Sequence, residues 1–155
     1  MTEEEARKET IKHIEKVRIH LSSLMLEMGH KSREHDATKL KDPEFKIFLE
    51  YTPKLRNTTY GSDEYKGYLK EMQVALDHHY SQNRHHPEHF KNGIKDMDLI
   101  DLCEMICDWL AATERHADGD IQKSLEINQK RFGYGDELKE IMRNTVKLLQ
   151  GKQDN

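Results

Sequence analysis

The sequence predicts an all-α fold, because apolar residues recur at helical spacing along most of the chain and no segment shows the alternation of a strand. Thr2 followed by Glu5 has the spacing of a helix-capping box, and Gly29 is typical of a helix end. Between them, apolar residues follow one another three or four positions apart, at Ile11, Ile14, Val17, Leu21, Leu24, Met25 and Met28. We therefore expect one long amphipathic helix at the start of the chain.

The middle of the chain carries signals for two further helices. Asp42 and Pro43 have the character of an N-cap and a first helical residue, for a helix that continues to about Tyr51. Ser62 can cap the next helix, which is expected to run until the histidine-rich segment interrupted by Pro87. Its predicted apolar face consists of Tyr65, Tyr68, Leu69, Met72, Leu76 and His79.

The last third of the chain predicts three more helices. Asp98 can cap a helix that ends near Asp118-Gly119-Asp120, and two others begin at about Ile121 and Asp136. The apolar residues of the first of these are Leu99, Leu102, Ile106, Trp109 and Leu110. With 155 residues and no internal repeat or linker, the chain is expected to form one domain over residues 1–155, a bundle of six or seven helices.

Composition excludes several classes of protein. Charged residues and hydrophobic residues each make up 35% of the chain, which is too apolar for a disordered protein and too polar for a membrane protein. The acidic start of the chain does not resemble a secretory signal, so we expect a cytoplasmic protein. A net charge of −4 predicts no polymeric nucleic acid partner and leaves a small anionic substrate and a homo-oligomer open.

Cys103 and Cys107, four positions apart in a helical pattern, are expected to be reduced thiols.

The chain has ten histidines, and five of them lie between His78 and His89. His35, Asp36 and Lys39 form the pattern H-D-x-x-K, in which adjacent imidazole and carboxylate groups suit a borderline metal ion. This pattern is weak by itself, since a His-Asp dipeptide also occurs on ordinary surfaces. His13 lies beside the apolar stripe of the first helix and can point inward, although a single such histidine is usually a core residue.

Further candidates follow from helical geometry. His79 continues an apolar face, from which His78 is rotated by about 100°. We expect at least one of the loop histidines His85, His86 and His89 to face the site. Asp101, Glu104 and Asp108 recur along one side of a helix, where a solvated face is as typical as a site for Glu104. Asp101 and Asp108 are about 10 Å apart along the helix axis, so they do not easily share one ion.

This order of residues resembles the HD-domain superfamily of metal-dependent phosphohydrolases over about residues 10–116, up to Cys107-Asp108-Trp109-Leu110. The block Asn83-x-His85-His86-Pro87-Glu88-His89-Phe90 is also similar to a phage and bacterial family of unknown function. The HD resemblance implies an HD-like helical bundle. One divalent ion is then bound by His13, His35, Asp36 and Asp108, with one or two of His79, His85 and His86 near it or on a second ion. Because the gap between His13 and His35 is short for that superfamily, His20 and His30 are alternative first ligands.

The resemblance further implies hydrolysis of a nucleotide or another small phosphate ester by a metal-activated water, with one or two ions of Mn, Co, Zn, Mg or Fe. Catalytic candidates are Asp36, Lys39, Glu104 and Asp101; candidates for binding the phosphate are Lys39, Arg84 and Arg115. Tyr80, Phe90 or Trp109 can stack a base, although each is more often a core residue. Two other classes of protein stay open: a di-iron oxygenase on the same scaffold, and a non-enzymatic protein that binds a metal or a nucleotide.

Overall fold

The computed structural model describes residues 1–59, 62–115 and 119–151. These residues form seven α-helices and three short 3₁₀ helices, and none of them lies in a strand, which confirms the all-α prediction. The 3₁₀ helices are Ala37–Leu40, Pro87–His89 and Gly93–Asp96. The α-helices are α1 (Glu3–Glu34), α2 (Glu44–Arg56), α3 (Asp63–Glu71), α4 (Gln73–Gln82), α5 (Leu99–Thr113), α6 (Ile121–Phe132) and α7 (Asp136–Gln150).

The chain divides into two compact units, Met1–His35 and Asp36–Asn155. The first unit is α1, which begins with the predicted capping box: Glu5 N–H donates to Thr2 Oγ1 at 3.2 Å and Thr2 N–H donates to a Glu5 carboxylate oxygen at 2.6 Å. The predicted stop at Gly29 is wrong, because α1 continues to Glu34. A glycine weakens a helix by only about 1 kcal/mol relative to alanine, so surrounding residues with good helix propensity can carry a helix through it.

In the second unit, two predicted helix boundaries differ from the structure. α2 begins at Glu44, one residue later than predicted, and passes through Pro53 to Arg56. The helix predicted from Ser62 starts as expected, with Ser62 Oγ accepting a hydrogen bond from Tyr65 N–H. It then divides at Met72, which ends α3 and precedes α4 with a ψ of 1°. Two helices, α3 and α4, therefore stand where the sequence predicts one.

Helices α5, α6 and α7 form the main core of the second unit. Asp98 caps α5 as predicted, accepting hydrogen bonds from Ile100 N–H and Asp101 N–H at 2.9 Å each. The starts of α6 and α7 agree with the prediction. α5 ends at Thr113, and residues 116–118, part of its predicted end, lie outside the described residues. The buried core consists of Met105, Ile106, Leu110, Ile121, Leu125, Tyr134, Met142 and Val146.

Outside the α5–α7 core, the second unit contains α2, α3, α4 and the three 3₁₀ helices. α2 contacts α4 and the 3₁₀ helix Ala37–Leu40, and α4 contacts the 3₁₀ helix Pro87–His89.

Trp109 stacks on Phe132 at a ring separation of 6.1 Å, so it is engaged in packing. Cys103 and Cys107 are free thiols. Within residues 1–59, 62–115 and 119–151, no helix combines the length and the apolarity that crossing a membrane requires.

Candidate metal centre

Four side chains of the second unit, Asp36, His79, His85 and His86, bring donor atoms within 4.8 Å of one another. His79 Nε2 lies 2.9 Å from His86 Nε2 and 3.3 Å from Asp36 Oδ1, and His85 Nε2 lies 3.5 Å from the same oxygen. Atoms that each bind a zinc-like ion at about 2.0–2.2 Å lie about 3.0–3.5 Å from their neighbours. The donor set therefore fits a transition-metal ion both in chemistry and in spacing.

Asp36 occupies an unusual backbone conformation at the start of the 3₁₀ helix Ala37–Leu40. Its φ is 55°, in the left-handed region that aspartate enters more readily than most residues but at a cost in energy. Lys39 Nζ, one turn later, donates to Asp36 Oδ2 at 2.6 Å. Lys39 thus holds one carboxylate oxygen of Asp36, and the other oxygen, Oδ1, faces His79 and His85.

The three imidazoles come from the end of α4 and the turn that follows it. Asn83 ends α4, and its side-chain amide donates to the His79 carbonyl at 2.8 Å. The turn then places the His85 and His86 rings 4.1 Å apart and the His79 and His86 rings 4.8 Å apart. Burial, together with the neighbouring His85 and His79, lowers the pKa of His86 to about 3. His86 is therefore neutral near pH 7, the form in which imidazole binds a metal.

Buried carboxylates lie behind two of these imidazoles. Glu44, 0% exposed, approaches His79 Nδ1 with Oε2 at 2.9 Å and His78 Nδ1 with Oε1 at 2.7 Å. Burial acts to raise the pKa of Glu44, but hydrogen bonds from His78, Thr38 and His79 outweigh it and lower the pKa. Glu104 Oε1 lies 3.0 Å from His85 Nδ1. Histidines that bind metals commonly have such a carboxylate behind the ring.

Asp108 adds a further carboxylate on the α5 side of the cluster. It is half-buried, lies one turn beyond Glu104, and brings a carboxylate oxygen within 4.8 Å of Asp36. The cluster thus contains four carboxyl groups, those of Asp36, Glu44, Glu104 and Asp108, together with the ammonium of Lys39. Carboxylates removed from water are costly unless cations compensate them. A divalent cation bound beside these carboxylates would offset part of their negative charge.

The structure separates the predicted first ligand from the His-Asp pair. His13 is exposed on α1, and His35 is the C-cap residue of the same helix, directly before Asp36 in the chain. A helix rises about 1.5 Å per residue, so His13 and His35 are about 33 Å apart and cannot share one ion. The predicted pairing is therefore wrong, and His20, about 22 Å from His35, fails for the same reason. His30 is exposed and lies 3.9 Å from Glu27 of the same helix.

Asp101 and Arg84, predicted to act in catalysis and in phosphate binding, form an ion pair with each other. Arg84 Nε lies 3.0 Å from Asp101 Oδ1, and Arg84 Nη2 lies 2.7 Å from Oδ2. The guanidinium also lies over the Phe90 ring, 4.8 Å from its centre. Both residues therefore connect the histidine-rich turn to α5, and their roles in catalysis and phosphate binding stay predictions. Arg115 is exposed, just beyond the end of α5.

A family described as "Family of unknown function (DUF5662)" matches residues 2–153, nearly the whole chain. The chain belongs to this family. No curated protein and no solved structure matches it. Because these comparisons contain no link to the HD-domain superfamily, that resemblance stays a prediction.

In this DUF5662 chain, the structure brings into one region four residues that the sequence predicts as metal ligands, Asp36, His79, His86 and Asp108. His85 was one of three alternatives in the histidine-rich segment, and the doublet His85-His86 was its signal. Glu44 was missed. It is the first residue of α2, where a glutamate is typical of an exposed helix start, so nothing in the local sequence indicates that it is buried.

Proposed function

We propose that this chain is a metal-dependent phosphohydrolase that acts on a nucleotide or another small phosphate ester. The convergence of three imidazoles and one carboxylate supports this proposal. The ion would be held by Asp36, His79, His85 and His86, with Asp108 as a further carboxylate beside them. Three nitrogen donors and one oxygen donor suit Zn, Fe, Co or Mn better than Mg, which prefers oxygen ligands and retains several waters.

When bound, a divalent ion makes water acidic near neutral pH and polarises a phosphoryl oxygen. The residues around the ion can bind the phosphate and accept a proton. The side chain of Lys39 is 37% exposed while its ammonium contacts Asp36, so it can hold a phosphate oxygen at the edge of the cluster. Glu44 and Glu104 can orient imidazoles. Asp108, which brings a carboxylate oxygen within 4.8 Å of Asp36, is the candidate to accept a proton or to bind the ion. A net charge of −4 favours a small substrate over a nucleic acid polymer.

Metal analysis and a substrate screen test the proposal. Protein purified without chelator is assayed for bound metal and for phosphate release from nucleotides, sugar phosphates and other phosphate esters, with Mn²⁺, Co²⁺, Zn²⁺, Fe²⁺ or Mg²⁺ added. We expect release from at least one substrate. Asp36→Ala should abolish it, whereas the matched control Asp77→Ala should retain it, because Asp77 is exposed on α4 and contacts Gln73.

Four outcomes would overturn the proposal. Bound metal without phosphate release across the panel would favour a binding protein, as would stoichiometric nucleotide binding without turnover. Oxygen consumption by protein that carries two irons would favour an oxygenase. Equal activity of wild type and Asp36→Ala would remove the site from the reaction.

A further inference from the structure

Glu44 is a buried carboxylate that lies outside the donor set but contacts it directly. We propose that Glu44 is a positioning residue that holds His79 in the tautomer with hydrogen on Nδ1, so that Nε2 presents its lone pair to Asp36 and His86. The inference rests on the metal site of the proposed function and deepens it, because it assigns the residue that makes His79 a ligand.

One arrangement of hydrogens satisfies the donors and acceptors around His79 together with the Glu44 carboxylate. The Asn83 amide has two hydrogens and lies within hydrogen-bond distance of two oxygens, 2.8 Å from the His79 carbonyl and 2.9 Å from Thr38 Oγ1. Thr38 Oγ1–H in turn donates to Glu44 Oε2 at 3.0 Å. Both amide hydrogens of Asn83 and the hydroxyl hydrogen of Thr38 are then used, although both groups also lie close to His79 Nδ1.

In this arrangement Nδ1 of His79 carries its own hydrogen. It lies 2.9 Å from Glu44 Oε2, and an ionised carboxylate can only accept hydrogen bonds. An unprotonated Nδ1 would set its lone pair against the carboxylate oxygen. In a neutral ring the lone pair is then on Nε2, the atom 3.3 Å from Asp36 Oδ1 and 2.9 Å from His86 Nε2, which can donate a hydrogen to it.

This arrangement matters because imidazole binds a metal only through an unprotonated nitrogen. A carboxylate on the opposite nitrogen fixes the tautomer and the ring orientation, and it makes the ligand nitrogen more basic. Glu44 also contacts His78, at 2.7 Å, but His78 is half-exposed and its nitrogens lie outside the donor cluster. His78 therefore provides a matched control: it shares the same carboxylate without serving the ion.

The tautomer can be read directly by long-range ¹H–¹⁵N NMR of metal-free protein carrying ¹⁵N-labelled histidine. The His79 signals are assigned by their loss in His79→Ala. In wild type we expect a protonated Nδ1 and an unprotonated Nε2. In Glu44→Gln, which keeps the size of the side chain but replaces one acceptor oxygen by a donor, we expect a mixture of tautomers. Finding hydrogen on Nε2 in wild type would overturn the proposal, even if Glu44→Gln does not fold.

Metal affinity is the second readout. Competition with a chelator should show Co²⁺ binding weakened about 10–100-fold in Glu44→Gln and unchanged in His78→Ala. Unchanged Co²⁺ affinity in a folded Glu44→Gln protein would contradict the positioning role. Neither readout requires turnover, so a failed substrate screen leaves this test intact. If wild type binds no Co²⁺, the metal site and the phosphohydrolase proposal fall together, whereas the NMR result still reports whether Glu44 controls His79.

Discussion

Nε2 of His85 lies 3.5 Å from Oδ1 of Asp36, and this contact joins the turn after α4 to the residue that precedes the 3₁₀ helix Ala37–Leu40. The other nitrogen of the same ring lies 3.0 Å from Glu104 of α5. One buried imidazole thus lies between two carboxylates from distant parts of the chain. The arrangement resembles a metal ligand with a carboxylate behind it.

His85→Ala should remove most of the metal from the purified protein, because it deletes a nitrogen donor at the centre of the cluster. His89→Ala is the matched control from the same segment: His89 Nδ1–H donates to the Tyr80 carbonyl at 2.8 Å, and His89 is outside the donor set. Elemental analysis after gel filtration measures both. A full metal content in His85→Ala would contradict the assignment.

Asp101 and Asp108 should respond differently to substitution. Asp101→Ala removes the partner of Arg84 and the carboxylate that accepts a hydrogen bond from Asp98 N–H at the start of α5. The free energy of unfolding should therefore fall by about 2–3 kcal/mol, while metal is retained. Asp108→Ala should weaken metal binding, because it deletes a carboxylate that lies within 4.8 Å of Asp36. Urea denaturation and metal analysis of both variants separate the two effects. Loss of metal in Asp101→Ala alone would reverse the assignment.

The core of α5–α7 predicts a large difference between two neighbouring positions of α6. Leu125 is completely buried and Ile127 is 58% exposed. Leu125→Ala should lower the free energy of unfolding by about 2–5 kcal/mol, because it leaves a cavity, whereas Ile127→Ala should cost less than about 1 kcal/mol. Equal effects in urea denaturation would show that α6 buries a different face.

Tyr134 predicts a loss of stability at alkaline pH. Its hydroxyl donates to the Leu125 carbonyl, and burial raises its pKa from 10.0 to about 12. Since the unfolded chain ionises first, the contribution of Tyr134 is complete below pH 10 and is lost as the pH rises toward 12. Tyr134→Phe should be about 1 kcal/mol less stable than wild type at neutral pH. This difference should shrink between pH 10 and 12 in urea denaturation; a constant difference would contradict the shift.

The sequence by itself determined the helical class and most helix starts, because caps and apolar spacing act over three or four residues. Thr2, Ser62 and Asp98 cap their helices as predicted. The sequence also predicts that Asp101 and Asp108 are too far apart to share an ion, because the distance along a helix axis follows from the number of residues between them. His13 and His35 could have been separated in the same way, had α1 been expected to continue past Gly29.

Only the tertiary structure decided which polar residues meet. The polar residues of the cluster lie on different elements of the chain: Asp36, Glu44, His79 to His86 and Glu104. Their contacts depend on the break at Met72, the turn after Asn83 and the packing of α2 on α4. A glutamate at a helix start has the same local sequence signal whether it faces water or an imidazole. Burial of Glu44 against His79 follows from the path of the chain between these elements, which is set by long-range packing.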